Sequence, residues 1–328
     1  MIRRDTHWIV GPGALGRLIG LRLATAGGPI AVTLIGRRRL PAEQALVTPR
    51  GEALRANLAA ATLDALPPLA PDVVHLTTKA YAAEAAHAAL APHLPAGTPL
   101  VLWQNGFGCQ PRLSRRHDGP VLCATTTEGA YLDDEQGDSH VVHAGHGETL
   151  IGALDGRHAE LAGALATALS AAGLPARSVT DIRQRLWQKL AVNAAINPLV
   201  ARFRIRNGQL RDRPFRPRVE AIIDEVAAIL AAEGIAPPGI EGSESAGGSL
   251  SAAGLEGWQA LVWRVVEGTA GNRASMLQDV LAGRRTEHDA ILGPLLATAD
   301  THCLSAPQLT ALADWLRERE LARSGNTC

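Results

Sequence analysis

The stretch LWQKLAVNAAINPLV, residues 186–200, sets one ammonium and two primary amides into an otherwise apolar segment. Lys189, Asn193 and Asn197 follow one another at i, i+4 and i+8. At about 100° per residue each step drifts only about 40°, so all three side chains leave a helix within one narrow sector. A buried amide without a partner costs roughly 1–3 kcal/mol, and a buried ammonium without one costs several. The stripe therefore faces a polar cavity or belongs to a satisfied internal network. In a cavity, an ammonium can donate a proton and stabilise a developing oxyanion.

The chain holds thirty arginines and only two lysines, Lys79 and Lys189. Wherever a generic positive charge sufficed this sequence used Arg, so the lysines mark positions where a compact, titratable ammonium is wanted. Survival of two lysines by chance carries equal weight on composition alone. Lys79 ends the predicted strand DVVHLTTK and Asn105 ends LVLWQN before Gly106. Carboxyl ends of parallel strands are where open α/β sheets bind ligands, although Asn-Gly is also an ordinary turn pair. Further along, Asn272 and Ser275 stand one helical turn apart in GNRASMLQDV, with Glu287 twelve residues beyond Ser275. Their hydrogen-bonding groups suit the carboxylate and hydroxyls of a small acid. The plainer reading makes the first two exposed helix positions and Glu287 a helix-terminal acid favoured by the macrodipole.

A second chemistry is written at the N-terminus. WIVGPGALGRLIGLRLATAG places Gly11, Gly13 and Gly16, with Pro12, Ala14 and Leu15 between them, after a strand and at the opening of a helix. The glycines allow a tight turn, close approach of backbone to a pyrophosphate, and helix-on-strand packing, while the helix terminus offers its amides to the anion. A cofactor without a 2′-phosphate is usually held by an acid at the end of the second strand. Here that place reads IGRRRL, with Arg37, Arg38 and Arg39 and no acid before Glu43. Guanidinium groups suit a phosphate, so the predicted cofactor is NADP(H), with one or two of the arginines serving only as solvated surface.

Other chemistries are disfavoured. His140, His143 and His146 are spaced H-x-x-H-x-x-H, but they fall in predicted strand and turn, where every third residue does not share a face, and no metal site is assigned. No G-x-S-x-G exists in the chain, which removes the nucleophile-elbow hydrolases. The four cysteines are scattered without C-x-x-C, as free thiols in a reducing compartment are.

The elements that must position these residues change character midway. Strands His7–Val10, Ile30–Ile35, Val73–Thr78 and Leu100–Trp103 alternate with helices over 14–26 and 81–94, which predicts an α/β, Rossmann-like doubly wound sheet. Strands near Val121–Thr127 and in VVHAGHGETLIG follow, then a helix near 160–172. From about residue 181 only helical signals remain, over 183–200, 215–233, 256–282, 287–301 and 307–323. Two domains are predicted, 1–180 for the dinucleotide and 181–328, all helical, for the substrate and catalysis, with a Gly/Ser-rich loop at 239–254. The helix carrying Lys189 is expected to line the cleft between them. Formal charge is zero, so no global field recruits nucleic acid or an anionic membrane. No run approaches a membrane span or a signal peptide, and a cytoplasmic protein with a small-molecule partner is expected. Oligomeric state is left open, a homodimer included.

Taken in order, GPGALG, LTTKAY, QNGFG, TTTEGA, LWQKLAVNAAINPL, RNGQL, ASMLQD and RRTEHDAILG resemble the ketopantoate reductase family, from about residue 8 to 300. The resemblance implies NADPH-dependent reduction of 2-dehydropantoate to pantoate, a step of pantothenate and coenzyme A biosynthesis. It implies Gly11–Gly16 on the pyrophosphate, Arg37 on the 2′-phosphate, and Lys79, Asn105, Ala130 and Glu287 on other parts of NADP. Lys189 becomes the proton donor, Glu287 its catalytic neighbour, and Asn105, Lys189, Asn193, Asn197, Asn207, Asn272 and Ser275 the substrate contacts. Five of the seven asparagines and both lysines fall on these positions. The loop at 239–254 and the basic stretch RFRIRNGQLRDR depart from the pattern, leaving a different 2-keto acid as an alternative substrate. A non-catalytic NADP redox sensor is a further alternative, disfavoured because a sensor has no need of Lys189 with Glu287.

Overall fold

The computed structural model describes residues 5–133, 137, 139–239 and 251–325. The chain divides into two compact units, Met1–Gln104 with Cys109–Arg183, and Asn105–Gly108 with Gln184–Cys328. The architecture is mixed α/β, a largely parallel sheet in the first unit and helices in the second.

In the first unit, β1 (Asp5–Val10), β2 (Ile30–Gly36), β5 (Ala59–Thr62), β6 (Val73–Leu76), β7 (Leu100–Leu102), β8 (Val121–Thr126), β11 (Thr149–Gly152) and β12 (Ala176–Ser178) form an eight-stranded sheet. Its order is β12-β11-β8-β7-β6-β1-β2-β5, parallel throughout except where β11 runs against β8. The near-continuous burial of β1, β6 and β7 is that of strands covered on both faces. The chain leaves β1 toward β2 and later returns to β6 on its other side, so the switch point of this sheet lies between β1 and β6. Helices α1 (Ala14–Thr25), α2 (Ala80–Leu90), α3 (Cys109–Arg116) and α4 (Ala159–Ala171) connect the strands.

A second sheet has the order β4-β3-β10-β9, built from β3 (Glu43–Val47), β4 (Ala53–Asn57), β9 (Gly129–Leu132) and β10 (His140–Gly145). It packs on α1, which also packs on β1 and β2, and this two-sided cover explains why so much of α1 is buried. The short, alanine-rich pieces ALRAN and AAAT gave no strand signal, since alanine favours helix and brings little bulk to a period-2 pattern. The stretch VVHAGHGETLIG, expected to hold strand and turn, contributes β10 to the second sheet and β11 to the first.

The second unit is helical: α5 (Ile182–Phe203, whose first two residues belong to the first unit), α6 (Arg216–Ala232), α7 (Ala252–Gly268), α8 (Ser275–Leu281), α9 (His288–Thr301) and α10 (Pro307–Gly325). Leu190, Ile196, Ile222, Ile229, Trp258, Leu277, Leu292 and Leu309 belong to one apolar cluster. The helix expected over 256–282 is broken, so Asn272 and Ser275 do not share a helical face. Asn272 lies in the connection and Ser275 begins α8. The cause is competition for carbonyls: Arg206 Nη1 donates to Gly271 O at 2.6 Å, and the amides of Asn207 and Gly208 donate to Asn272 O and Ala270 O at 3.1 and 3.0 Å. Of the Gly/Ser-rich stretch, residues 240–250 lie outside the described residues, and its end forms the start of α7. No helix among the described residues is long and apolar enough to cross a membrane.

Candidate active site

The glycine loop is shaped by what lies under it. Gly11 adopts φ +83°, and a Cβ there would stand 2.4 Å from Thr78 Cγ2 and 2.7 Å from the Thr78 backbone. At Gly16 a Cβ would meet the Thr77 hydroxyl at 2.4 Å. That hydroxyl lies 3.1 Å from Val10 O and 2.9 Å from Gly11 O as their donor, tying the turn to the end of β6. Arg17 Nε donates to Pro12 O at 2.9 Å from behind the loop. Gly13 caps α1 without a side chain, and no acid occupies the first turn, so the leading amides face no carboxylate of their own helix.

Around this turn the first unit gathers Arg37 and Lys79. Gly36, at the end of β2, would bring a Cβ to 3.6 Å from the Pro12 ring. The exposed Arg37, Arg38 and Arg39 therefore begin beside the loop. Lys79 caps α2 directly after the two threonines that touch the glycines. Ala130 lies on β9, opposite His143 of β10, in the sheet that packs on α1.

In the second unit the structure brings Lys189, Glu287 and Asn105 together. The segment Asn105–Gly108 docks on the start of α9: Phe107 N donates to Ala290 O at 3.0 Å, and the Phe107 ring lies 4.9 Å from that of Trp187 on α5. Gly106 makes the approach possible, with φ +81° and a would-be Cβ only 2.0 Å from the Ala290 carbonyl oxygen. The result aims Asn105 Nδ2 at Glu287 Oε2, 3.4 Å away. Glu287 is buried at the N-cap of α9, yet its side chain accepts no bond from its own helix. Lys189 keeps a partly open side chain while its ammonium is strongly desolvated. Desolvation lowers its pKa to about 8, against the opposing pull of the Glu287 carboxylate.

Asn193 and Asn197 follow Lys189 on α5, the first partly and the second almost wholly buried. A separate grouping joins Asn207 to Asn272 by the backbone bond given above, and Asn207 Nδ2 donates to the Thr269 hydroxyl at 2.9 Å. The buried Asn207 Oδ1 has no protein partner, and Asn272 and Ser275 are exposed.

The histidine run resolves differently from its spacing. A register shift between His143 and Gly145 brings the His146 ring to 5.0 Å from that of His143, and potential ligand atoms of Glu128, His143 and His146 lie within 4.8 Å of one another. His143 has no lone pair to offer. Arg22 Nη2 donates to its Nδ1 at 3.0 Å, so Nε2 carries the proton and donates to Glu128 Oε2 at 2.6 Å. His140 stands apart against the Ser139 hydroxyl.

Sequence reading missed Thr77, Thr78, Phe107 and Gln104, whose Nε2 donates to Leu76 O and lies 3.2 Å from Thr78 O. Nothing in their types marks them, because each acts by fitting against a neighbour distant in sequence.

Residues 8–156 match the family model described as ketopantoate reductase PanE/ApbA, and residues 181–320 match its C-terminal counterpart. The chain belongs to the ketopantoate reductase family. A 2-dehydropantoate 2-reductase of Vibrio cholerae is 34% identical over 319 residues, covering 95% of this chain and 97% of that one. The Archaeoglobus fulgidus 2-dehydropantoate 2-reductase is 35% identical, covering 88% of each. Among solved structures, the ketopantoate reductase of Ralstonia eutropha superposes with a TM-score of 0.82 at 24% identity, over 98% of this chain and 99% of that one. A D-mandelate dehydrogenase solved with NADH and anilino(oxo)acetate superposes at 0.81 with 22% identity, over 97% and 99%. At these identities the structures establish the fold.

Proposed function

We propose that this chain reduces 2-dehydropantoate to pantoate with NADPH. The observation that carries the reading is the pairing of Lys189, its pKa lowered to about 8, with the buried Glu287. The shared name of relatives at 30–35% identity, bacterial and archaeal, supports the substrate.

The residues of the glycine loop fit a dinucleotide. The turn at Gly11 excludes a side chain, whereas a Cβ at Gly13 would meet nothing nearer than 4.0 Å, leaving backbone and helix terminus open to a pyrophosphate. Arg37 would hold the 2′-phosphate, Lys79 and Ala130 would contact other parts of the cofactor, and the lack of an acid after β2 favours NADP(H) over NAD(H). When bound, the nicotinamide supplies the hydride that reduces the keto carbon.

Lys189 as ammonium donates to the keto oxygen, stabilises the alkoxide as it forms and then gives up its proton, completing the hydroxyl. With its pKa lowered the ammonium is a stronger acid than an ordinary lysine, and Glu287 keeps it charged until it is needed. Asn105 orients the Glu287 carboxylate by donating to its Oε2. Asn193, Asn197, Asn207, Asn272 and Ser275 would bind the carboxylate and hydroxyl of the substrate, and the unmet Asn207 Oδ1 suits a substrate hydroxyl.

NADPH oxidation followed with 2-dehydropantoate and a panel of other 2-keto acids tests the proposal. The highest kcat/KM is expected with 2-dehydropantoate. Another acid ranking first would move the substrate, and no turnover with any would end the enzymatic reading.

A further inference from the structure

We propose that Glu320, on α10, is a positioning residue for Glu287: by holding Thr286 it sets where the Glu287 carboxylate stands against Lys189. The proposal rests on the assignment of Lys189 and Glu287 above. Glu320 Oε1 accepts from the Thr286 amide at 2.8 Å and from the Thr286 hydroxyl at 2.9 Å. The hydroxyl has one proton and gives it to the carboxylate, so the contact at 3.0 Å with His288 must run the other way, from His288 Nδ1–H to Thr286 Oγ1. Arg285 Nε, 3.7 Å from Glu320 Oε2, steadies the other oxygen of the clamp.

Glu287 is thus gripped through both neighbours in the chain, Thr286 and His288, each only 2% exposed. The grip comes from a residue 34 positions away. Its own carboxylate is not spent on capping α9 and turns to Asn105 and Lys189. A rotation of one turn of backbone at Thr286 would carry that carboxylate away from the ammonium. A purely structural clamp would fasten α9 to α10 and leave Lys189 unaffected, and this difference can be measured.

Because the chain has only two lysines, the full-length protein labelled with ¹³Cε-lysine gives two resonances, assigned with Lys189→Ala. Wild-type Lys189 is expected to titrate near 8. In Glu320→Ala the midpoint should fall, because desolvation persists while the pull of Glu287 weakens. Its kcat/KM should drop about 10- to 100-fold, as for a small misplacement of a reacting group. Glu320→Gln keeps an oxygen that accepts both Thr286 bonds and should restore the midpoint. An unchanged Lys189 midpoint in folded Glu320→Ala overturns the proposal. If that variant does not fold, Thr286→Val removes the hydroxyl bonds alone and should lower the midpoint less, and no movement there overturns it equally. Turnover surviving in Lys189→Ala would instead sink the proton-donor assignment, a separate outcome from the titration.

Discussion

Lys189 has its pKa lowered because burial disfavours its charge more than Glu287 restores it. With Lys189 in its proposed role as proton donor, the ammonium is the active form, and kcat/KM is expected to stay level below about pH 8 and to fall about tenfold per unit above it. A pH profile rising through that region would make Lys189 a base. Lys189→Ala should lose about 10²- to 10⁴-fold in kcat while NADPH still binds, as fluorescence titration would report. Lys189→Arg should fail too, since guanidinium does not release its proton near neutrality. At the other residue on which the cofactor assignment turns, Arg37→Ala should raise the Kd for NADPH well beyond that for NADH. Equal losses would take Arg37 off the 2′-phosphate. Lysine and asparagine scarcity made these side chains legible in the sequence, but their partners were not. Asn105 and Glu287 are 182 positions apart, and no local pattern links them.

The element that carries Asn105 is a four-residue segment whose placement depends on one glycine. Gly106 combines a left-handed φ with near contact to the Ala290 carbonyl, so Gly106→Ala adds about 1–2 kcal/mol of backbone strain to a steric clash. The expected outcome is a lower Tm together with a fall in kcat/KM larger than stability alone explains, because Asn105 is displaced from Glu287. Native melting and activity in Gly106→Ala would show that the segment can be rebuilt without cost. Long, strongly periodic elements such as α5, α6 and α10 were read from sequence nearly to their ends. The second sheet was not, since β3 and β4 gain their strand character by pairing with each other, β9 by pairing with β10, and all of them by covering α1. The helix predicted over 256–282 failed for a related reason: the residues that interrupt it, Arg206 to Gly208, come from another part of the chain.

In the large sheet a buried chain of donors links β1 and β6 to Trp103, the residue that follows β7. Trp103 Nε1–H donates to His75 Nδ1 at 3.2 Å, which leaves His75 Nε2–H to donate to His7 Nδ1 at 3.0 Å. Both imidazoles are neutral, and burial holds their pKa values below the ordinary histidine range, opposed at His7 by Asp5 and Asp72. The unfolded chain takes up these protons near pH 6.5 while the folded chain resists. Stability is therefore full above that pH and declines as pH falls below it, by up to about 1.4 kcal/mol per pH unit for each histidine. Urea midpoints at pH 7.5 and 5.0 should show the loss. His75→Gln, which can accept from Trp103 and donate to His7 without titrating, should flatten the dependence. An equally steep dependence in that variant would place the titrating groups elsewhere.

Composition and local pattern were enough to settle that the chain is α/β with a glycine-loop sheet followed by helices. They also mark Lys189, Asn193 and Asn197 as a single stripe. Turn chemistry, helical periodicity and residue scarcity act over a few positions and can be read directly. Which side chains meet was decided only by the tertiary structure. The Thr77 hydroxyl under the glycine turn, Asn105 against Glu287, and Glu320 on Thr286 are each separated by 34 positions or more. The lowered pKa of Lys189 belongs to the same class, because desolvation is a property of everything packed around an ammonium and of no residue type alone.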